Sequence, residues 1–429
     1  VTTLQTHPAS PSVHPSGADP ALESIRRHLD SGLRLSLDHG RILYSTPDIW
    51  TLCELADSLR RRLHGDRAYY NINRHFNYSN VCALSCRFCE FHRKPADIGA
   101  YTRDLDHARE VARSAADAGA TELHIVGGLH PTLPFSYYTD LLRALRDAAP
   151  SLHLKAFTAV EIVHLAKVAK VYRNTPDHAR LDSIRWVLQR LIAAGLGSLP
   201  GGGAEVFDDR VHDQAFKGKI RSAVWLDVHR VAHQLRLNSN ATILYGHIEN
   251  RDERLLHMDL LRRAQDEALA RLGYSPDHTG AITLTRPGAL LPTPAMNTHG
   301  GYFQTIIPLP FFPDGSQLQH LPGPGGLENL RTLAVARLML DNFPHAKAFW
   351  IMQTLPMAQL MLQAGADDLD GTIVWYDITK LAGSTTHQET TPWNLQQAIR
   401  EAGFTPIERD TLYRPITRDA SGAWAVPQP

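Results

Sequence analysis

The sequence predicts an α/β protein, a (β/α)8 TIM-type barrel with a helical extension before it and a second extension after it. Three observations lead there. From Tyr69 onward, short strand-like runs alternate with amphipathic helical stretches, the pattern of a parallel sheet covered by helices. Eight such runs can be placed, at 69–76, 121–126, 152–158, 196–199, 240–245, 303–309, 347–352 and 368–374, the number that closes a barrel. The chain has 429 residues, enough for one barrel of about 250 residues with extensions. A doubly wound open sheet satisfies the same alternation.

Taken in order, residues 1–20 are rich in Pro, Ser and His without an apolar period, and are expected to form a disordered tail. Residues 21–68 read as a helical segment, in which Leu52, Leu55, Leu59 and Leu63 make one apolar face. The barrel is expected over 69–375. Its helix-like stretches include 104–118, 136–147, 161–170, 179–194, 222–236, 252–270, 327–341 and 356–363, several followed by a stopping glycine such as Gly119, Gly195 or Gly365. The segment 271–301 is longer than ordinary connections and reads as an insertion, either a functional lid or a disordered excursion. Residues 376–429 form the C-terminal extension.

Composition narrows the class. Lys and Arg total 44 and Asp and Glu 44, so the formal net charge is zero, which argues against a general nucleic-acid binder. Hydrophobic residues at 43% and charged residues at 21% are those of a globular chain. No run approaches the roughly 18 apolar residues of a membrane span. The first residues lack a basic start and an apolar h-region, so a cytoplasmic location is expected.

The cysteines carry the chemistry. Cys53 stands alone on the helical segment and reads as an ordinary thiol. Cys82, Cys86 and Cys89 form Cys-x3-Cys-x2-Cys directly after the first strand run, where barrel chemistry sits. Each iron of a 4Fe-4S cube takes one external ligand, so three cysteines leave one iron open to a small molecule, whereas ordinary electron carriers use four. The alternative is a Cys3His zinc site with His92, although zinc ligands usually come as two separated pairs.

Further signals lie at strand ends. Gly127-Gly128 suit close backbone approach to a ligand or a tight turn. Gly201-Gly202-Gly203 offer backbone N–H groups to an anion or ribose, or form a flexible loop. Thr158 and Glu161 are placed to face the barrel mouth, where the carboxylate would accept from ribose hydroxyls; capping of the next helix is the rival role for Glu161. Gly246 and Glu249 end the fifth run, where a strand end with a solvated Glu is the plainer reading.

The cysteine spacing, with Phe88 just before the last thiol, resembles the radical S-adenosylmethionine superfamily. Over about residues 30–415, leaving out the insertion, the stretches Asn80–Phe91, Glu122–Pro131, Lys155–Ile162, Gly195–Glu205, Asn240–Glu249, Phe303–Phe311 and Asn329–Arg337 resemble the aminofutalosine synthases of the futalosine route to menaquinone. The resemblance implies a radical SAM transferase. It implies a 4Fe-4S cluster on Cys82, Cys86 and Cys89, and S-adenosyl-L-methionine as a consumed co-substrate. Phe88, Gly127, Gly128, Thr158, Glu161, Gly246 and Glu249 would contact the latter, with Leu129 standing where the superfamily's Gly-Gly-Glu motif has its acid. It also implies addition of the 5′-deoxyadenosyl radical to 3-[(1-carboxyvinyl)oxy]benzoate, then rearrangement and loss of a carboxyl group, giving 6-amino-6-deoxyfutalosine. The two substrate carboxylates would need cations, for which His130, Lys155 and His247 are the candidates, and Phe157, Tyr245 and Phe303 would surround the ring. A reductant such as flavodoxin or ferredoxin is the implied protein partner. The alternatives are a cyclic dehypoxanthine futalosine synthase, a deazaflavin-forming radical SAM synthase or, from another class, a zinc-stabilised binding protein.

Overall fold

The computed structural model describes residues 19–286, 288–293, 296, 299–373 and 388–427. The tail expected over 1–20 lies outside them except for Asp19 and Pro20, as does the end of the last strand run at residue 374.

Helices Pro20–Asp30, Leu37–Ser45 and Ile49–His64 form the N-terminal segment. In the third, Leu52, Leu55 and Leu59 are buried on one face, as their spacing predicts. Asp48 caps it by accepting from Thr51 N at 3.0 Å, a contact of the kind that stabilises a helix by about 1 kcal/mol. Gly65 ends it with φ at 65°.

The first strand run divides at Ile72 into β1 (Arg67–Asn71) and β2 (Asn73–Asn77). There follow β3 (Glu122–Val126), β4 (His153–Ala156), β5 (Ser198–Leu199), β6 (Asn238–Tyr245), β7 (Phe303–Pro310) and β8 (His345–Ala346). Strands β2 to β8 make one seven-stranded parallel sheet in sequence order. Its register sets His75 beside His124, His124 beside Lys155, and Lys155 beside Ser198. The helices between strands fall where the apolar period places them, Ala159–Val168 and Arg251–Arg271 among them. The run at 347–352 is different: β8 stops at Ala346, and Trp350–Gln353 is a short helix.

The closed (β/α)8 barrel expected from the sequence is not formed. Strand β9 (Asp368–Gly371) joins β1 and β10 (Thr405–Glu408) in a separate three-stranded parallel sheet, order β10-β1-β9. A single bridge, Lys347 with Asp368, connects it to the end of β8. The large sheet is therefore open and curled around a central cavity. The sequence of β9, Asp-Leu-Asp-Gly, explains the break. Asp370 has φ at 69°, and the β1–β9 register slips between Tyr69 and Asn71. Gly371 passes so close to Asn73 that a Cβ there would lie 2.3 Å from its Oδ1. Asn73 then does with its side chain what a ladder would have done, accepting from Ile373 N at 2.8 Å.

The described part of segment 271–301 packs against the N-terminal helices. Ile282 and Leu284 bury beside Ala268, Leu269 and Tyr302, and Thr283 donates to Asp341 at 2.7 Å. Arg34 ties the same place to Asp266 at 2.5 Å. None of these residues lines the central cavity. No helix among the described residues is long and apolar enough to cross a membrane.

Candidate functional site

A cavity of about 300 Å³ opens at the C-terminal ends of the parallel strands, where loops and strand ends converge. Cys82, Cys86 and Cys89 line its upper wall. Their loop leaves β2 and is held by its backbone. Cys82 N donates to Arg93 O at 2.9 Å, Ala83 N to Leu129 O at 2.9 Å, and Arg87 N to Ala215 O at 2.9 Å. The Lys94 ammonium gathers three successive carbonyls from outside, Cys82 O at 3.1 Å, Ala83 O at 3.4 Å and Leu84 O at 3.0 Å. Burial pushes the Cys86 thiol up to about 11 and raises that of Cys89, while the nearby Lys219 charge opposes the rise in both. Such thiols become thiolates on binding metal. Lys219 itself is paired with Glu205 and lies 4.9 Å from the centre of the Phe88 ring.

Gly127 and Gly128 follow β3 beneath this loop. A Cβ on Gly128 would lie 2.3 Å from Val81 O, and one on Gly127 would lie 2.6 Å from the Tyr78 ring. The two glycines thus let the β3 loop pack flush under the cysteine loop. Glu161 braces the arrangement. Its buried carboxylate accepts from Tyr78 Oη at 2.8 Å, Gly127 N at 3.1 Å, Thr158 N at 2.7 Å and Thr158 Oγ1 at 2.8 Å. With Thr158 it closes a capping box on helix Ala159–Val168. Burial pushes its carboxyl up to about 7 against these four donors.

The cavity floor is charged. Lys155 on β4 donates to Glu122 at 2.7 Å, and Lys347 past β8 donates to Asp370 at 2.7 Å. His75 and His124 lie between, with ring centres 4.5 Å apart. Burial acts to raise the Glu122 carboxyl, but the Lys155 and Lys347 charges outweigh it and hold it well below the usual range. Burial pushes the His75 imidazole down to about 4, and burial, with the Lys155 charge beside it, takes His124 far down. Burial thus favours the neutral ring in both. Above the floor the wall is apolar, with Leu84, Phe91, Ile307, Leu309, Phe311, Phe349 and Met352.

A cysteine trio over a deep, half-charged cavity on a parallel sheet has counterparts among known proteins. Residues 76–261 match the radical SAM superfamily, and residues 299–421 match the CofH/MqnC C-terminal region. The chain is 40% identical to the aminodeoxyfutalosine synthase of Thermus thermophilus, over 93% of this chain and 96% of the relative. It is 38% identical to that of Streptomyces coelicolor, over 93% and 94%. The chain belongs to the aminodeoxyfutalosine synthase family of radical SAM enzymes. Its fold is shared with methylornithine synthase (PylB), at TM-score 0.64 and 14% identity over 89% of this chain and 97% of the other.

The site residues read from the sequence of this aminodeoxyfutalosine synthase relative divide into two groups. Cys82, Cys86, Phe88, Cys89, Gly127, Gly128, Lys155, Thr158 and Glu161 all line the cavity. His130, Gly246, His247 and Glu249 do not. Glu249 is buried in its own loop, accepting from Gly246 N at 2.6 Å, His247 N at 2.9 Å and Arg254 Nε at 2.8 Å. His247 turns its Nε2 to Leu244 O at 3.1 Å. His130 Nδ1 accepts from Leu133 N at 3.2 Å and shapes the turn after β3. Phe157, Tyr245 and Phe303, expected around the substrate ring, are core residues with no exposure. Glu122, His124, Glu205, Lys219, Lys347 and Asp370 also line the cavity, and none of them is among the site residues expected from the sequence. For Glu122 and His124 a signal existed, charged and polar residues two apart on a buried strand. For Lys347 and Asp370 it lay hidden, because the pairing depends on which strand ends adjoin.

Proposed function

We propose that this radical SAM enzyme joins the 5′-deoxyadenosyl group of S-adenosylmethionine to 3-[(1-carboxyvinyl)oxy]benzoate and forms 6-amino-6-deoxyfutalosine for menaquinone biosynthesis. The bond forms at the vinyl ether carbon; rearrangement through the ring follows, a carboxyl group leaves as carbon dioxide, and the product radical gives up one proton and the one electron spent on the sulfonium, so the conversion is redox-neutral overall. The observation that carries the reading is one shared cavity, with three thiols at its top and buried ammonium groups at its floor. The rival products of the CofH/MqnC relatives would leave 5′-deoxyadenosine free instead of in the adduct.

Cys82, Cys86 and Cys89 would hold a 4Fe-4S cluster, and their donor chemistry fits it. A single zinc with four ligands needs donors about 3.8 Å apart, from Zn–S bonds of about 2.3 Å in a tetrahedron. Among the described residues, the only group of three or more His, Cys, Asp and Glu donors within 4.8 Å of one another is His64, His345 and Asp367, which lines no part of the cavity. In a cube each of the three thiols would bind a different iron, so they need not converge on one point. Bound there, the cluster supplies the one electron that cleaves the co-substrate sulfonium, itself drawn from a reductant such as flavodoxin or ferredoxin.

The rest is done by side chains. The Phe88 ring and the Gly127–Gly128 backbone would border the co-substrate, with Thr158 and Glu161 fixing that backbone. Lys155 would hold a substrate carboxylate through a charge-assisted hydrogen bond. The apolar wall excludes water and stray hydrogen donors from the reacting carbon. Gly246, Glu249, His130 and His247 are assigned to shaping the loops that frame the cavity.

The test is anaerobic reconstitution with iron and sulfide. Four irons and four labile sulfides per chain, lost together in Cys86→Ala, support the cluster. Stoichiometric zinc without sulfide overturns it.

A further inference from the structure

We propose that Lys347 is a second substrate-carboxylate anchor, facing Lys155 across the cavity floor, so that the floor selects a dianionic aromatic substrate. This rests on the function proposed above and names how its substrate is held.

Lys347 and Lys155 are each only 3% exposed, and both line the cavity. An ammonium carries three N–H donors. Lys347 uses one on Asp370 at 2.7 Å, and Lys155 uses one on Glu122 at 2.7 Å. Among the described residues the other two donors of each have no hydrogen-bond acceptor, so both ammonium groups are held in place yet incompletely satisfied. Buried donors without partners are costly, and a ligand oxygen is what would complete them.

Stability does not explain these pairs. Replacing a buried ion pair by apolar residues is often neutral or stabilising. The two cations also oppose each other: besides burial, the Lys347 charge lowers Lys155. An anion at each of them would relieve that repulsion.

Each lysine holds its own carboxylate partner on a different strand end, a placement suited to two substrate carboxylates. A single carboxylate is best gripped by the planar fork of one arginine, whereas separated point charges suit separated anions. Lys155 stands on β4 and Lys347 past β8, with three strands between them in the curled sheet. The substrate carries one carboxylate on the ring and one on the vinyl ether arm, at opposite ends of an apolar body. Phe349 and Met352, near Lys347 in sequence, belong to the apolar wall that would cover that body.

The test uses cluster-loaded enzyme under anaerobic conditions, with equilibrium dialysis of the diacid, each of its two monomethyl esters, and S-adenosylmethionine. The variant is Lys347→Met with Asp370→Asn, which leaves no unpaired buried carboxylate; Lys347→Arg and Lys155→Met with Glu122→Gln accompany it. The wild type should bind the diacid roughly 10- to 100-fold more tightly than either ester. The Lys347 double variant should lose its preference against one ester and keep it against the other. The Lys155 double variant should show the reverse pattern. Lys347→Arg should keep both preferences in part, and affinity for S-adenosylmethionine should change less than twofold throughout. Unchanged ester selectivity in the Lys347 variants, a loss confined to S-adenosylmethionine affinity, or a wild type indifferent to both esters overturns the anchor alone. Failure of the wild type to bind the diacid at all overturns the function on which it rests.

Discussion

Tyr78 and Glu161 stand 83 residues apart in sequence and meet in the protein interior, the phenol donating to the Glu161 carboxylate at 2.8 Å. The same oxygen accepts from Gly127 N at 3.1 Å. One carboxylate therefore pins three strand ends together, those of β2, β3 and β4, under the loop that carries the cysteines. Removing the phenol takes one of four donors from a buried carboxyl group. Tyr78→Phe should lower stability by about 1–3 kcal/mol in urea unfolding. An unchanged unfolding midpoint would show the contact to be dispensable.

Glu161 also makes stability depend on pH. Its folded value is about 7, above the ordinary 4.5, because burial outweighs its donors. Between those values the folded chain keeps a proton that the unfolded chain has lost, so stability falls as pH rises through the window and levels off above it. The slope is at most about 1.4 kcal/mol per pH unit. The stability difference between wild type and Glu161→Gln should therefore shrink from pH 5 to pH 7. A difference that stays flat contradicts the shifted carboxyl.

Gly128 is a steric requirement. In Gly128→Ala the new methyl would sit 2.3 Å from the backbone oxygen of Val81, one residue before Cys82. The cysteine loop must move, at about 1–3 kcal/mol. Iron content after reconstitution should fall along with the melting temperature. Full iron loading would mean that the loop tolerates the displacement.

Lys94 is a positioning residue for that loop. Its ammonium draws the carbonyls of Cys82, Ala83 and Leu84 to one side. Lys94→Met should broaden the low-temperature electron paramagnetic resonance signal of the reduced cluster and shift its potential, while Lys94→Arg restores part of both. Spectra identical to wild type would assign Lys94 to solvation alone.

The legible parts of this protein were those written in short stretches of chain. The three cysteines announce themselves within eight positions, and Thr158-x-x-Glu161 is a capping box on sight. At Gly246 and Glu249 the strand-end pattern is a loop hydrogen-bonding to itself, away from the residues that line the cavity. What the residues could not disclose depends on strand neighbours. Asp370 and Lys347 pair only because β9 reaches the end of β8 through one bridge. The failure of the sheet to close comes from the left-handed Asp370 and the tight Gly371–Asn73 approach, neither of which alters the strand–helix alternation.

The adenosyl group should end in the product. Reduced, cluster-loaded enzyme should be given the enolpyruvyl benzoate and S-adenosylmethionine carrying carbon-13 in its ribose, and the nucleosides identified by mass. The label should appear in 6-amino-6-deoxyfutalosine, at one equivalent per methionine released. Label recovered only in free 5′-deoxyadenosine would contradict that transfer.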